Sequence, residues 1–288
     1  MRKSLITTAV LGALAAPSFV FAADAAPAPD YTLAYNVGLY SQYIFRGLTQ
    51  TNRDPAIQGG IDFTHSSGFY LGAWASNVSW LTDGADGLNT GKLYQSGGSL
   101  ETDWYGGYRY TFDDKSPIAG LGVDLGILEY YYPGHRNMAI GAHTANTTEV
   151  YGALNYAWAQ AKISAVVNNT AWGTGSSNAN SDQKGTYYAE LNLTPPISDM
   201  LGVKDGLASG ISGIIHVARQ EFSDDAAGLV GNSDPSYTDY KLGLTKAFSN
   251  GVNVGGYWTK ATTKANNWTY DSKNIGDSTG TVYVQKTF

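Results

Sequence analysis

From Tyr31 onward the chain alternates apolar and polar side chains over and over, and this alternation constrains its fold more than any other feature. In LETDWYGGYRYTF, Leu100, Trp104, Tyr108, Tyr110 and Phe112 oppose Glu101, Asp103, Gly107 and Arg109. In TEVYGALNYAW, Val150, Leu154, Tyr156 and Trp158 oppose Glu149 and Asn155. In AKISAVVNNT, Ile163, Ala165 and Val167 oppose Lys162, Ser164 and Asn168. A helical stripe would recur every ~3.6 residues, whereas successive strand side chains point to opposite faces. About 12 such segments can be laid out, each near the ~9–11 residues of a membrane-crossing strand. They start near Tyr31, Pro55, Phe69, Ser99, Gly120, Thr147, Ala159, Gly185, Leu207, Tyr237, Gly251 and Gly280.

A soluble sandwich also alternates, so the connections have to decide between the two. Those after odd segments are mostly long and polar, such as LTDGADGLNTGKLYQSGG, PGHRNMAIGAHTAN, EFSDDAAGLVGNSDPS and TTKANNWTYDSKNIGDS. Several after even segments are tight: HSSG, WAQ and FSNG. DDKSPIAG and TPPISDMLGVKDG are longer exceptions, the second with room for a helical turn. Outer-membrane barrels have this asymmetry, with long external loops and short periplasmic turns. The sequence therefore predicts an all-β, transmembrane, antiparallel up-and-down β-barrel of about 12 strands, with 10 to 14 compatible.

The start of the chain agrees. Arg2 and Lys3, a mostly apolar Leu5–Leu14 run and Val20-Phe21-Ala22 make residues 1–22 a secretory signal peptide. Residues 23–30 form an Ala/Pro linker, and residues 31–288 are left for the barrel. Removing Arg2 and Lys3 from the 18 basic residues leaves 16 against 24 acidic ones, a balance of −8. That balance argues against a nucleic-acid partner. No cysteine is present, which excludes disulfide staples and thiolate–metal sites. The 21 tyrosines and 7 tryptophans suit the aromatic belts of a membrane barrel. With strand 1 running outward, Tyr43, Phe45, Tyr131, Trp172, Tyr187, Tyr240 and Trp258 fall near the outer rim. Tyr110, Phe112, Trp158, Phe248 and Phe288 fall near the inner rim.

In the first segment, Leu33, Tyr35, Val37, Leu39, Tyr43 and Phe45 share one face, while Asn36, Gly38, Gln42 and Arg46 share the other. The expectation is a strand that climbs to the outer rim with Arg46 pointing into the lumen. The same parity places Arg46, Arg109, Lys162 and Lys241 inside, against Asp62, Glu101, Asp103, Asp124, Glu149, Glu190 and Asp239. A charge on the lipid face costs roughly 2–4 kcal/mol at mid-membrane, so inward placement is cheaper. These groups are the constriction candidates, with Arg46 expected to face Glu101 and Asp103 across the lumen. The competing reading is an ion-pair network that only braces the wall.

NVGLYSQYIFRGLTQTN, PAIQGGIDFTHSSGFYLGAWASNVS, YYYPG and TTEVYGAL resemble the TorF family of porins, most strongly over Asn36–Ser79 and Glu101–Leu154. The resemblance implies an outer-membrane barrel with a porin role. The family often has an acid and a base where this chain has Gln42 and Ile44.

Other chemistry is thinly represented. His65-Ser66-Ser67-Gly68 has a His-x-Ser spacing but sits in a tight turn, where such residues are ordinary. Asp113-Asp114 and Asp224-Asp225 lack calcium-loop spacing, and His135, His143 and His216 lack metal-ligand spacing. No catalytic, cofactor or metal residue is assigned. Terminal Phe288, on the alternating strand TVYVQKTF, resembles the signal read by the bacterial barrel-assembly machinery. The expected partners are that machinery, outer-membrane lipid and lipopolysaccharide, and small hydrophilic solutes. The expected function is a passive channel. A closed barrel with a structural, adhesion or surface-binding role is the first alternative, and an outer-membrane hydrolase the second.

Overall fold

The structure, a computed structural model, describes residues 9–11, 13–15, 29–83, 92–140, 142–174, 182–223 and 234–288. Among these, twelve strands close into one barrel: β1 Tyr31–Tyr40, β2 Ala56–His65, β3 Phe69–Asn77, β4 Leu100–Thr111, β5 Leu121–Tyr131 and β6 Thr147–Tyr156, followed by β7 Ala159–Val166, β8 Tyr187–Leu193, β9 Ile211–Glu221, β10 Tyr237–Ala247, β11 Val252–Ala261 and β12 Thr279–Thr287. Each strand is antiparallel to the next. β12 returns to β1 with Tyr283 opposite Tyr40 and Lys286 opposite Val37, so no edge is left open. Every observed start lies within four residues of the one expected from alternation. Ala9–Leu11 and Ala13–Ala15 pair with each other and form no part of the barrel sheet.

Closure sorts the two faces. Leu39, Leu71, Leu125, Ile163, Leu242 and Val282 stand exposed on the outer wall, the last at 66%. Glutamines, carboxylates and tyrosines line the inside, with Gln285 at 1% and Glu149 at 0% exposure. Hydrocarbon solvates such an outer wall without penalty, and water does not. At the short-turn end, Tyr110, Trp158, Phe248 and Phe288 are exposed outward. At the long-loop end, Tyr131, Tyr240 and Trp258 are. The connection from 194 to 210 contains one helical turn, Ile197–Met200.

Inside, tyrosines lie across glycines on neighbouring strands. A side chain at Gly72 would overlap the Tyr105 ring, and one at Gly126 would overlap Tyr151. Glycine here lets a large ring lie flat against the wall, leaving its hydroxyl free to bond a carboxylate. Tyr105 donates to Asp62 at 2.5 Å.

The structure corrects the reading of the first segment. β1 stops at Tyr40 and does not climb to Arg46. Tyr43 is buried inside the barrel, and Phe45 and Trp172 pack there too, so none of the three belongs to an outer girdle.

At the seam, the Phe288 amide donates to the Tyr35 carbonyl at 2.9 Å, and the Tyr35 amide returns a 3.4 Å bond. The Phe288 ring is 67% exposed on the lipid side. Deleting Phe288 removes both bonds and the ring, and should lower the heat-modifiable folded fraction severalfold on a seminative gel. An unchanged fraction would show that the seam closes without it.

Candidate functional site

The connection from Ser41 to Pro55 folds inward. Ile44–Phe45 pairs with Leu48–Thr49, and the two residues between them, Arg46 and Gly47, have φ of 47° and 78°. Positive φ at both central positions matches the type I′ turn, whose twist suits a two-residue hairpin. Glycine takes this conformation freely. Arginine does not, at a cost of order 1–3 kcal/mol, so something must hold it there.

The opposite wall does so. Arg46 Nη2 reaches both carboxylate oxygens of Glu149 on β6 at 2.7 and 2.9 Å, and Nη1 donates to Gln220 Oε1 on β9 at 2.9 Å. Tyr130 of β5 donates to the same carboxylate at 3.2 Å. The guanidinium also lies over the rings of Tyr188, Phe45 and Trp172, at 4.3, 4.9 and 5.0 Å from their centroids. Such stacking adds about 0.5–2 kcal/mol where water is excluded. Burial alone would lower the Arg46 pKa, but the Glu149 carboxylate more than reverses this and holds it above its ordinary value.

The rest of the hairpin meets the wall around most of its circumference. Tyr43 donates to Glu101 of β4 at 2.6 Å, and Gln42 donates to Thr279 of β12 at 2.8 Å. Leu48 packs with Phe222, Tyr237, Ala261, Tyr270 and Ile275. This level of the lumen is filled, with Glu101 and Gln220 each 1% exposed.

The structure places all eleven charged candidates inside, but brings them together differently from the sequence expectation. Arg46 pairs with Glu149, not with Glu101 or Asp103. Those two were chosen for a straight β1, and the inward fold carries Arg46 past them. Asp103 Oδ1 is buried without a partner among the described residues. Below the hairpin, Arg109 pairs with Asp124 at 2.9 Å, and Tyr70 donates to Asp124 at 2.6 Å. Lys162 faces Glu190 in register and lies 4.4 Å from the Tyr151 ring centroid. Lys241 lies 4.9 Å from that of Tyr257.

His216, set aside in the sequence reading, belongs to this interior. Its Nε2 lies 3.0 Å from Asp239 and 2.9 Å from the Tyr188 hydroxyl, while Nδ1 lies 2.6 Å from Asn192 Oδ1. Its parity in ISGIIHVARQ was the available signal. In the turn after β2, His65 Nδ1 lies 2.7 Å from Ser67 Oγ and accepts the Ser67 amide at 3.2 Å. Asp113 accepts the Lys115 amide at 3.0 Å, an ordinary turn bond. Asp224-Asp225 lies outside the described residues. Among the described residues no three His, Asp or Glu side chains could hold a metal ion.

The hairpin tip is tightly seated, because a Cβ on Gly47 would overlap the Asp239 side chain. Gly47→Ala should therefore loosen the hairpin by about 1–3 kcal/mol. Limited trypsin digestion of the refolded barrel checks this, since the bond after Arg46 is buried in the parent. Gly47→Ala should be cut there first, and equal resistance of both proteins would contradict the seating.

Residues 24–288 match the family model described as "Bacterial protein of unknown function (Gcw_chp)". Among solved structures the chain is similar to KdgM porin, with 9% identity and a TM-score of 0.45, covering 89% of this chain and 98% of that one. It is similar to NanC porin at 9% identity and a TM-score of 0.46, covering 89% and 99%. Pseudomonas aeruginosa OprD follows at 12% identity and a TM-score of 0.36, covering 89% and 66%. No curated protein matches the sequence.

Proposed function

The chain belongs to the Gcw_chp family, and with that as premise we propose that this member is an outer-membrane channel for small hydrophilic solutes, closed at rest by its first-loop hairpin. One observation carries the reading: a hairpin crosses the lumen, and its tip is anchored to the far wall by the Arg46–Glu149 ion pair. The hairpin is a loop held to the wall by side-chain contacts rather than a strand of the barrel, so it can be released without unfolding the wall. The inside is polar and charged along its length, so a solute that passes the hairpin meets hydrogen-bonding groups. Seven carboxylates against four bases on those positions favour cations weakly. The leader in residues 1–22 would direct export, after which the assembly machinery, lipid and lipopolysaccharide are the expected partners. The resemblance to the TorF porins supports the same role.

A second reading, a permanently closed barrel with a surface-binding role, is favoured by the burial of Arg46 and Glu149, whose side chains are 7% and 1% exposed. Planar-bilayer recording of the refolded protein separates the two. The channel reading expects rare, stepwise openings with a weak cation preference. Silence in the parent and in every hairpin variant would leave only the closed barrel.

The topology follows from the same reading, with the long connections outside. A tag placed within 269–274 should be labelled on intact cells, and one within 113–118 only after the outer membrane is breached. Labelling of 113–118 on intact cells would reverse the orientation.

A further inference from the structure

One stretch of the outer wall is concave. Across β5 to β9 a single row of outward side chains runs Leu125, Gly152, Ile163, Ala189 and Arg219, each opposite the next in register. Gly152 and Ala189 leave gaps beside Leu125 and Ile163, and Ala161 leaves another between Leu154 and Leu191 in the next row. The result is an open groove of about 750 Å³. Strands lie about 4.8 Å apart, so a groove across five of them is roughly 19 Å long. One leaflet of hydrocarbon is about 15 Å deep, and an extended acyl chain of that length fits within the groove.

Charge is confined to one end. Of the outward side chains that line the groove, only Arg219 is charged. It stands two residues before the long-loop end of β9, while Leu125, at the other end of the row, stands at mid-strand. Glu221 takes its Nε and Nη2 at 2.8 and 2.7 Å, which leaves Nη1 without a partner among the described residues. The guanidinium is half-exposed. Lys260, exposed on the same face two strands along, makes no ion pair among the described residues. Two bases against one carboxylate leave this part of the rim net positive. A second copy fits less well, because about a two-fold axis the groove would face itself and stay empty. An amphiphile with a phosphate above an acyl chain matches both the groove and its charged end.

We propose that the groove is a binding site for lipid A, the phosphorylated glycolipid of lipopolysaccharide, with one acyl chain laid across β5 to β9 and one phosphate on the free edge of Arg219. Lys260 adds to the positive field there. The proposal rests on the outer-membrane reading, which puts the long-loop end, and so Arg219, at the outer leaflet.

Native mass spectrometry of the refolded full chain, released from detergent micelles in the presence of lipid A, tests the site. Lipid A should be retained as a one-to-one adduct, with phosphatidylglycerol and lipid A stripped of its phosphates each held at least about tenfold more weakly. Arg219→Gln should weaken retention about tenfold. Gly152→Phe should weaken it at least as much by filling the floor. The wall should accept that ring, because a Cβ there meets only Leu125 Cδ2, at an ordinary 3.4 Å. Val282→Phe, on the lipid face of β12, should change nothing. Heat modifiability checks that each variant is folded. Because the readout is binding, a barrel that never conducts but retains lipid A leaves the site standing, and tag labelling reads the orientation separately. No one-to-one adduct, equal retention of phosphatidylglycerol, or full retention by either Arg219→Gln or Gly152→Phe would overturn the proposal. So would an equal loss in Val282→Phe, the mark of lipid held anywhere on the wall.

Discussion

Arg46→Ala should turn a barrel that is closed most of the time into one that opens readily. In the seated state the variant leaves Glu149, whose side chain is 1% exposed, buried without its cation. Once the hairpin lifts, the same carboxylate sits in lumen water. The penalty therefore falls on the closed state alone. Removing one partner of a buried pair costs about 3–5 kcal/mol, and every ~1.4 kcal/mol is tenfold in an equilibrium. The open-to-closed ratio should rise by roughly a hundredfold to a few thousandfold. Single-channel open probability measures this directly, with heat modifiability as the check on assembly. An open probability equal to the parent's would remove the hairpin as the gate. Failure of the variant to fold would mean that the pair braces the wall instead.

The second large effect is a reversal. Glu149→Ala alone should open the barrel about as far as Arg46→Ala, because it strands the guanidinium among Phe45, Trp172 and Tyr188. Removing both charges strands neither. Arg46→Met combined with Glu149→Leu places two apolar side chains where rings already surround the site, and such replacements are often neutral or stabilising. The double variant should return to within about tenfold of the parent's open probability. Against about 3–5 kcal/mol for each single change, that result corresponds to a coupling of about 5 kcal/mol or more. If the double variant opens as far as the sum of the singles, Arg46 and Glu149 act separately, and the pinning contact lies elsewhere.

The barrel was legible because its cause is local. Alternation over segments such as Leu100–Thr111 follows from one wall facing lipid and the other water, and each strand carries that signal in its own residues. Loop lengths added direction. The hairpin was not legible for the same reason, since a two-residue hairpin alternates too. Tyr43 and Phe45 continue the apolar parity of β1 whether their rings meet lipid or the inside of the barrel. The one local sign was Arg46-Gly47 between Ile44-Phe45 and Leu48-Thr49, a glycine at the second turn position between two short apolar-rich pairs. The partner of Arg46 could not be found by height alone, because Glu149 lies five strands away from β1. Rings carried on the connections were illegible for a similar reason, because parity does not say whether a connection turns inward. Trp172 illustrates this: taken for a girdle residue, it faces inward and stacks on Arg46.

The most direct test of the account is to take the hairpin out and leave the wall. The Gln50 amide donates to the Tyr43 carbonyl at 2.8 Å, so the ends are already adjacent and Gly-Gly can replace Ile44–Thr49. Single-channel recording of that variant, once shown to fold, should give steady conductance well above the parent's. Its cation preference should also be stronger, because Arg46 is gone while Glu149, Glu101 and Asp103 remain. A folded variant that conducts no more than the parent would place the closure deeper in the lumen and contradict the hairpin as the gate.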